Sequence, residues 1–236
     1  MSEPTDPGMK PQWHTFDSHE ALAVALAEHL AARLRTDIDA RGAASLALSG
    51  GSTPTPMLQA LAQQTLNWSA VHLTLVDERW VDTSHPDSNE RLLREHLLSG
   101  PASRARLSGL KTPHPRASEG EGEAAARIAA LPRPFSAVVL GMGSDGHTAS
   151  WFPQAANLPR LLDADGTELV AATEPVTAPH ARMTLTLPAV LNSTEVILHI
   201  TGAEKKAVLG EALSRGYPVA AVQRQSTTPL SIWWAP

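Results

Sequence analysis

Apolar and polar positions along the chain fall into two repeating patterns. Short runs rich in aliphatic and β-branched residues, each stopped by glycine, proline or acidic turns, occur at Ser45–Leu48, Val71–Val76, Ala137–Leu140, Leu169–Thr173, Met183–Leu187, Glu195–Thr201 and Pro229–Trp234. These predict strands. Between them lie segments of helical period. One runs from Ala21 to about Arg35 behind a capping box of Asp17 and Glu20, and a second covers Met57–Leu61 with Thr53 as N-cap and Pro54 in the first turn. Further helices are expected over Asn89–Leu98, near Glu123–Ala130 and over Glu204–Ser214. Residues 1–12 are polar with three prolines and predict a flexible leader, followed by a single α/β domain over 13–236. Alternating strands and helices imply right-handed βαβ units, hence one doubly wound, mostly parallel sheet with helices on both faces.

The stretch Phe135–Ser150 organises the rest. Its apolar run has no polar alternation, as in a strand covered on both faces. It then breaks into Gly141-Met142-Gly143-Ser144-Asp145-Gly146-His147, where glycines permit positive φ and close approach of a ligand. His147 is a candidate general base, oriented by Asp145 or a neighbouring carboxylate. Three other strand ends carry unusual loops: Ser49–Thr53, Asp77–Arg79 and Thr201–Lys205. If the strands are parallel, all four loops meet at one edge of the sheet, where open α/β sheets bind ligands.

The loop Gly50, Gly51, Ser52, Thr53 presents N–H groups and hydroxyls ahead of a helix, a candidate phosphate cradle. It lacks the Gly-Lys-Ser/Thr of a nucleotide loop and the G-x-G-x-x-G of a dinucleotide fold, so a small phosphorylated molecule fits better than ATP or NAD. Arg182 and Lys205 are candidate counter-charges for that phosphate. Asp77-Glu78-Arg79 offers acids, a base or a guanidinium, or else a salt-bridged strand end. Ser144 is not an esterase nucleophile, because Met142 stands where the elbow pattern needs glycine.

Composition narrows the function classes. With 42% apolar residues and a net charge of −5, the chain shows no basic surface for nucleic acid and no membrane anchor. Cysteine is absent, which removes disulfides, thiolate catalysis and cysteine-ligated metals. Its ten histidines show no metal-binding spacing, so no metal site is expected. The N-terminus has no signal-peptide pattern, and the cytoplasm is the expected location.

From about Ala44 onward, the motifs LSGGSTP, VDERWV with the downstream DSNERLL, VLGMGSDGHTASWFP, RMTLTLP and TGAEKKAVL occur in that order. Together they resemble the 6-phosphogluconolactonase family, whose wider superfamily also holds glucosamine-6-phosphate deaminases and sugar-phosphate-sensing domains. The resemblance implies a Rossmann-like α/β fold and hydrolysis of 6-phospho-D-glucono-1,5-lactone in the pentose phosphate pathway, without metal or organic cofactor. It further implies His147 as the base, Asp145 as its orienting group, and Arg79 or backbone N–H groups of Gly141–Gly146 as oxyanion donors. Gly50, Gly51, Ser52, Thr53, Asp77, Arg182 and Lys205 would bind the substrate. A small phosphorylated sugar lactone is the expected partner, and a monomer the expected state, with a homodimer as the alternative. Two features favour the lactonase over a deaminase: Arg79 after the acidic pair where deaminases have an aromatic residue, and Phe152 where they carry a catalytic glutamate. Trp151 departs from the leucine of many relatives, which alters packing only. An amino-sugar-phosphate deaminase and a non-catalytic sensor stand as alternatives, distinguished by ammonia release and by binding without turnover.

Overall fold

The computed structural model describes residues 10–236; residues 1–9 of the expected leader lie outside the described residues. In chain order the first half contains β1 (Gln12–Thr15), α1 (His19–Arg41), β2 (Ala44–Leu48), α2 (Thr55–Ala62), β3 (Val71–Leu75), β4 (Asp77–Arg79), α3 (Asn89–His96) and β5 (Arg106–Ser108). Next come α4 (Glu121–Ala129), β6 (Ala137–Leu140), α5 (Leu158–Leu161), β7 (Val170–Thr173) and β8 (Arg182–Leu185). The chain closes with α6 (Leu187–Leu191), β9 (Val196–Thr201), α7 (Ala203–Arg215), α8 (Ala220–Arg224) and β10 (Leu230–Ala235).

Seven strands form one sheet in the order β1-β10-β9-β6-β2-β3-β5, parallel throughout. This is the doubly wound α/β architecture that the alternation of elements predicts. From β2 the chain winds outward through β3 to β5, then returns to the opposite side of β2 as β6 and winds through β9 to β10. The reversal lies between β2 and β6, where such folds open a crevice at the carboxyl ends of the strands. Every residue of β2 and β6 is buried, as their unalternating apolar sequences require.

Departures from the expectation concern the sheets, the edge strands, the caps and the length of α1. Leu169–Thr173 and Met183–Leu187 do not join the parallel sheet: β7 and β8 pair antiparallel with each other, and β8 pairs antiparallel with β4. Only Val76 separates β3 from β4, too short for a crossover. Val76 donates its N–H to Leu48 O (3.0 Å) in the main sheet and accepts from Leu185 N (2.8 Å) in the small one, so a single residue joins the two sheets. Second, β1 and β5 have no strong sequence signature; both are short, partly exposed edge strands. Third, the caps differ: Ser18, not Asp17, accepts the Ala21 N–H at 3.1 Å, and Pro54 rather than Thr53 occupies the N-cap of α2 without a side-chain bond.

Helix α1 runs to Arg41 rather than Arg35 and ends at Gly42, whose φ of 78° suits glycine. Its Leu22, Leu26, Leu30 and Leu34 form one fully buried stripe, and the helix packs on α2, β2 and β10. No helix among the described residues is long and apolar enough to cross a membrane. Replacing Leu30 by Ala should cost about 2–5 kcal/mol of unfolding free energy in a urea titration, the usual penalty for an incompletely collapsed cavity. A loss below about 1 kcal/mol would show that α1 is not anchored as its burial indicates.

Candidate active site

The four loops singled out by sequence follow β2, β3, β6 and β9, four adjacent strands of the parallel sheet. They surround a cavity of 280 Å³ whose wall includes Gly50, Gly51, Ser52, Thr53, Asp77, Arg79, His147 and Lys205. An adjoining lobe of 340 Å³ is lined by Arg182, Phe152, Asp87 and His180, and shares Asp77, Arg79, His147 and Ala149 with the first. The structure thus brings nine of the ten candidates to one crevice, with Arg182 in the second lobe rather than beside the glycine loop. The tenth, Asp145, reaches it through His147.

Loop geometry explains the glycines. The His147 ring lies against Gly143, where an added Cβ would stand 2.2 Å from Cε1 of the imidazole and 2.7 Å from Asp145 Oδ1. His147 Nδ1 lies 2.5 Å from Asp145 Oδ1. An ionised carboxylate only accepts, so Nδ1 is the donor, and in the neutral imidazole Nε2 is the nitrogen with the free lone pair. Nε2 has no partner among the described residues. Phe152 packs its ring 4.5 Å from the imidazole, an apolar neighbour on a half-buried base. On the β2 side, the Ser49 hydroxyl donates to Val139 O (3.0 Å) and accepts from Gly141 N (3.1 Å), which stitches the two loops together.

Glu78 builds the opposite wall. It is fully buried, and each carboxylate oxygen accepts two hydrogen bonds: Oε1 from Arg79 N and Asn89 N (both 2.8 Å), Oε2 from Glu90 N (2.8 Å) and Ser88 Oγ (3.0 Å). Burial pushes its carboxyl up from the ordinary value, against the pull of these four donors. An anion at the start of α3 also complements the helix dipole. The bond network sets Asn89, whose Nδ2 donates to Asp77 O (2.8 Å) and whose Oδ1 would lie 1.9 Å from any Cβ at position 50. Gly50 is therefore needed for close approach. Asp77 Oδ2 accepts from Ser150 Oγ at 2.5 Å.

Arg79 and Arg182 face each other in register across β4 and β8. Arg182 is buried, and its Nε and Nη1, like Nε of Arg79, have no partner among the described residues. Burial, and then the charge of Arg79, lowers the Arg182 pKa from its ordinary value. Such donors suit an anion. Lys205 sits in the first turn of α7, beside the cavity.

Sequence reasoning missed Asn89, Ser150 and His199. Asn89 lies inside the DSNERLL motif, so a signal was present without a role. His199 is a lone polar residue in an apolar strand; burial, with the charges of His19 and Lys205, pushes its pKa down to about 4 and keeps it neutral against the cavity. Glu78→Gln should lose at least about 2 kcal/mol of unfolding free energy in a urea titration, because the amide turns an N–H₂ toward backbone donors. Wild-type stability in that variant would remove Glu78 as the organiser of this wall.

Comparison with known proteins shows the family. Residues 17–233 match the family model described as glucosamine-6-phosphate isomerases/6-phosphogluconolactonase. A 6-phosphogluconolactonase of Rhizobium meliloti (strain 1021) is 41% identical over 232 residues, covering 97% of this chain and 100% of the relative. A crystal structure of a 6-phosphogluconolactonase from Shewanella baltica superposes with a TM-score of 0.93 at 44% identity, covering 96% of this chain and 98% of that one. A putative 6-phosphogluconolactonase from Neisseria gonorrhoeae gives a TM-score of 0.88 at 36% identity, covering 96% and 100%. The chain belongs to the glucosamine-6-phosphate isomerase/6-phosphogluconolactonase family.

Proposed function

We propose that this protein hydrolyses 6-phospho-D-glucono-1,5-lactone to 6-phospho-D-gluconate with His147 as general base. The observation that carries the reading is the Asp145–His147 pair: an imidazole with Nδ1 engaged at 2.5 Å and Nε2 free, at the junction of two lobes lined by cationic side chains. The relatives named 6-phosphogluconolactonase support the choice of substrate. So does Phe152, which leaves an apolar ring beside His147 where the deaminase chemistry calls for a carboxylate.

The substrate is an activated cyclic ester with a phosphate at its far end. N–H groups and hydroxyls of Gly50–Thr53, with Lys205, hold the phosphate, while Arg182 attracts the anionic substrate from the adjoining lobe. This remote binding orients C1 near His147. Nε2 takes a proton from water as the water oxygen attacks C1. The imidazolium, stabilised by Asp145, then returns that proton to the ring oxygen as the C1–O bond breaks. Of the two oxyanion donors left open by the sequence, Arg79 fits better. In the glycine loop, the N–H groups of Gly141, Gly143 and Gly146 already bond to Ser49 Oγ, His147 O and Gly143 O, whereas Arg79 brings a full positive charge to the junction of the two lobes. The lactone is reactive enough that this route needs no metal or organic cofactor.

The test is hydrolysis of freshly generated lactone, coupled to a 6-phosphogluconate dehydrogenase and corrected for the spontaneous rate. His147→Ala should lower kcat by about 10²–10⁴-fold. Arg182→Ala should act mainly on KM, raising it roughly 10-fold or more, the value of one charge-assisted contact. Wild-type turnover in His147→Ala would refute the assignment of the base.

A further inference from the structure

Outside the dyad, the lip of the second lobe gathers two imidazoles and a carboxylate. His85 and Asp87 lie in the turn before α3, and His180 lies just before β8, 93 positions from Asp87. His180 Nε2 is 2.9 Å from Asp87 Oδ2, and His85 Nδ1 is 3.9 Å from the same oxygen. The two rings meet edge to face with centroids 5.5 Å apart, and the three potential ligand atoms lie within 4.8 Å of one another.

A tetrahedral zinc ion takes nitrogen and carboxylate oxygen at roughly 2.0–2.2 Å, which sets neighbouring ligand atoms about 3.3–3.5 Å apart. The observed separations bracket that spacing, one shorter and one longer by roughly half an ångström. All three side chains are partly exposed, so small rotations reach it without moving the core. The backbone already holds the groups together. Arg79 Nη1 donates to Asp87 O (2.7 Å), Asp87 N donates to His85 Nδ1 (3.1 Å), and His180 adopts a φ of 67°, uncommon for a side-chain-bearing residue. Ligation through His85 Nδ1 would release the Asp87 N–H to solvent. The hydrogen bond from His180 lowers the Asp87 carboxyl from its ordinary value, so the anionic ligand is present near neutral pH.

We propose that His85, Asp87 and His180 form a binding site for a borderline divalent cation such as Zn²⁺ or Co²⁺ at the mouth of the second lobe. Two imidazoles with one carboxylate select this class over Mg²⁺ or Ca²⁺, which prefer all-oxygen sets. Three protein ligands leave a fourth position for water or a ligand oxygen from the lobe. The hydrolysis described above does not use this cation. Arg79 and Arg182 line the same lobe and oppose its charge, so the affinity should fall short of structural zinc sites.

The full-length chain titrated with Co²⁺ should develop a saturable visible absorption at one equivalent, discharged by Zn²⁺. His180→Gln and His85→Gln should each weaken Co²⁺ binding at least tenfold, while His96→Gln on α3 binds as wild type does. Circular dichroism checks each variant's fold, and the two cluster variants guard against failure of either one. Absence of a saturable signal in wild type, or wild-type affinity in His180→Gln or His85→Gln, would overturn the proposal.

Discussion

Parallel pairing of β2 with β6 is the constraint on which the site depends. Its register, Leu48 opposite Val139, brings the two following loops side by side at the point where strand order reverses. Ser49 then bonds to Val139 and Gly141, so the Gly50–Thr53 loop and the His147 loop are one hydrogen-bonded unit. The far wall depends on a second anchor, the buried Glu78 carboxylate, which couples β4 to the start of α3 and thereby sets Asp77, Arg79 and Asn89 against that unit. Buried polar groups with all their partners present make such an anchor rigid, and the same groups left unpaired would be costly.

Charge is distributed unevenly along the crevice. Lys205 stands at the glycine-loop end, Arg182 lines the other lobe, and Arg79 lines both. Between them lies the His147–Asp145 pair, with Phe152 against the ring. His199, a second histidine on the wall, is held neutral by burial, so the two imidazoles are differently equipped for proton transfer. Of the two, only His147 has a carboxylate partner.

Much of this was legible in the sequence because the relevant physics is local. Unalternating apolar runs at Ala137–Leu140 and Ser45–Leu48 mark strands buried on both faces, and glycines at 50 and 143 mark close approach, expected of a ligand and made in the structure by the Asn89 side chain and the His147 ring. Three facts were not legible. The antiparallel sheet of β4, β7 and β8 depends on Val76 serving two sheets, and nothing in its local sequence distinguishes that from a simple strand end. Arg182 reads from the sequence as a candidate cation for an anionic ligand, yet its place opposite Arg79 follows from the β4–β8 register and not from any motif. The approach of His180 to Asp87 across 93 positions is likewise a product of tertiary structure.

The central claim is that one crevice holds a distant phosphate and a reacting ester at the same time, so that binding of the first accelerates chemistry at the second. Comparing wild-type kcat/KM for 6-phosphogluconolactone with that for unphosphorylated gluconolactone tests it directly. Loss of one or more charge-assisted contacts to the phosphate should reduce kcat/KM for the unphosphorylated lactone by roughly 10²-fold or more. Equal kcat/KM values for the two lactones would contradict the account.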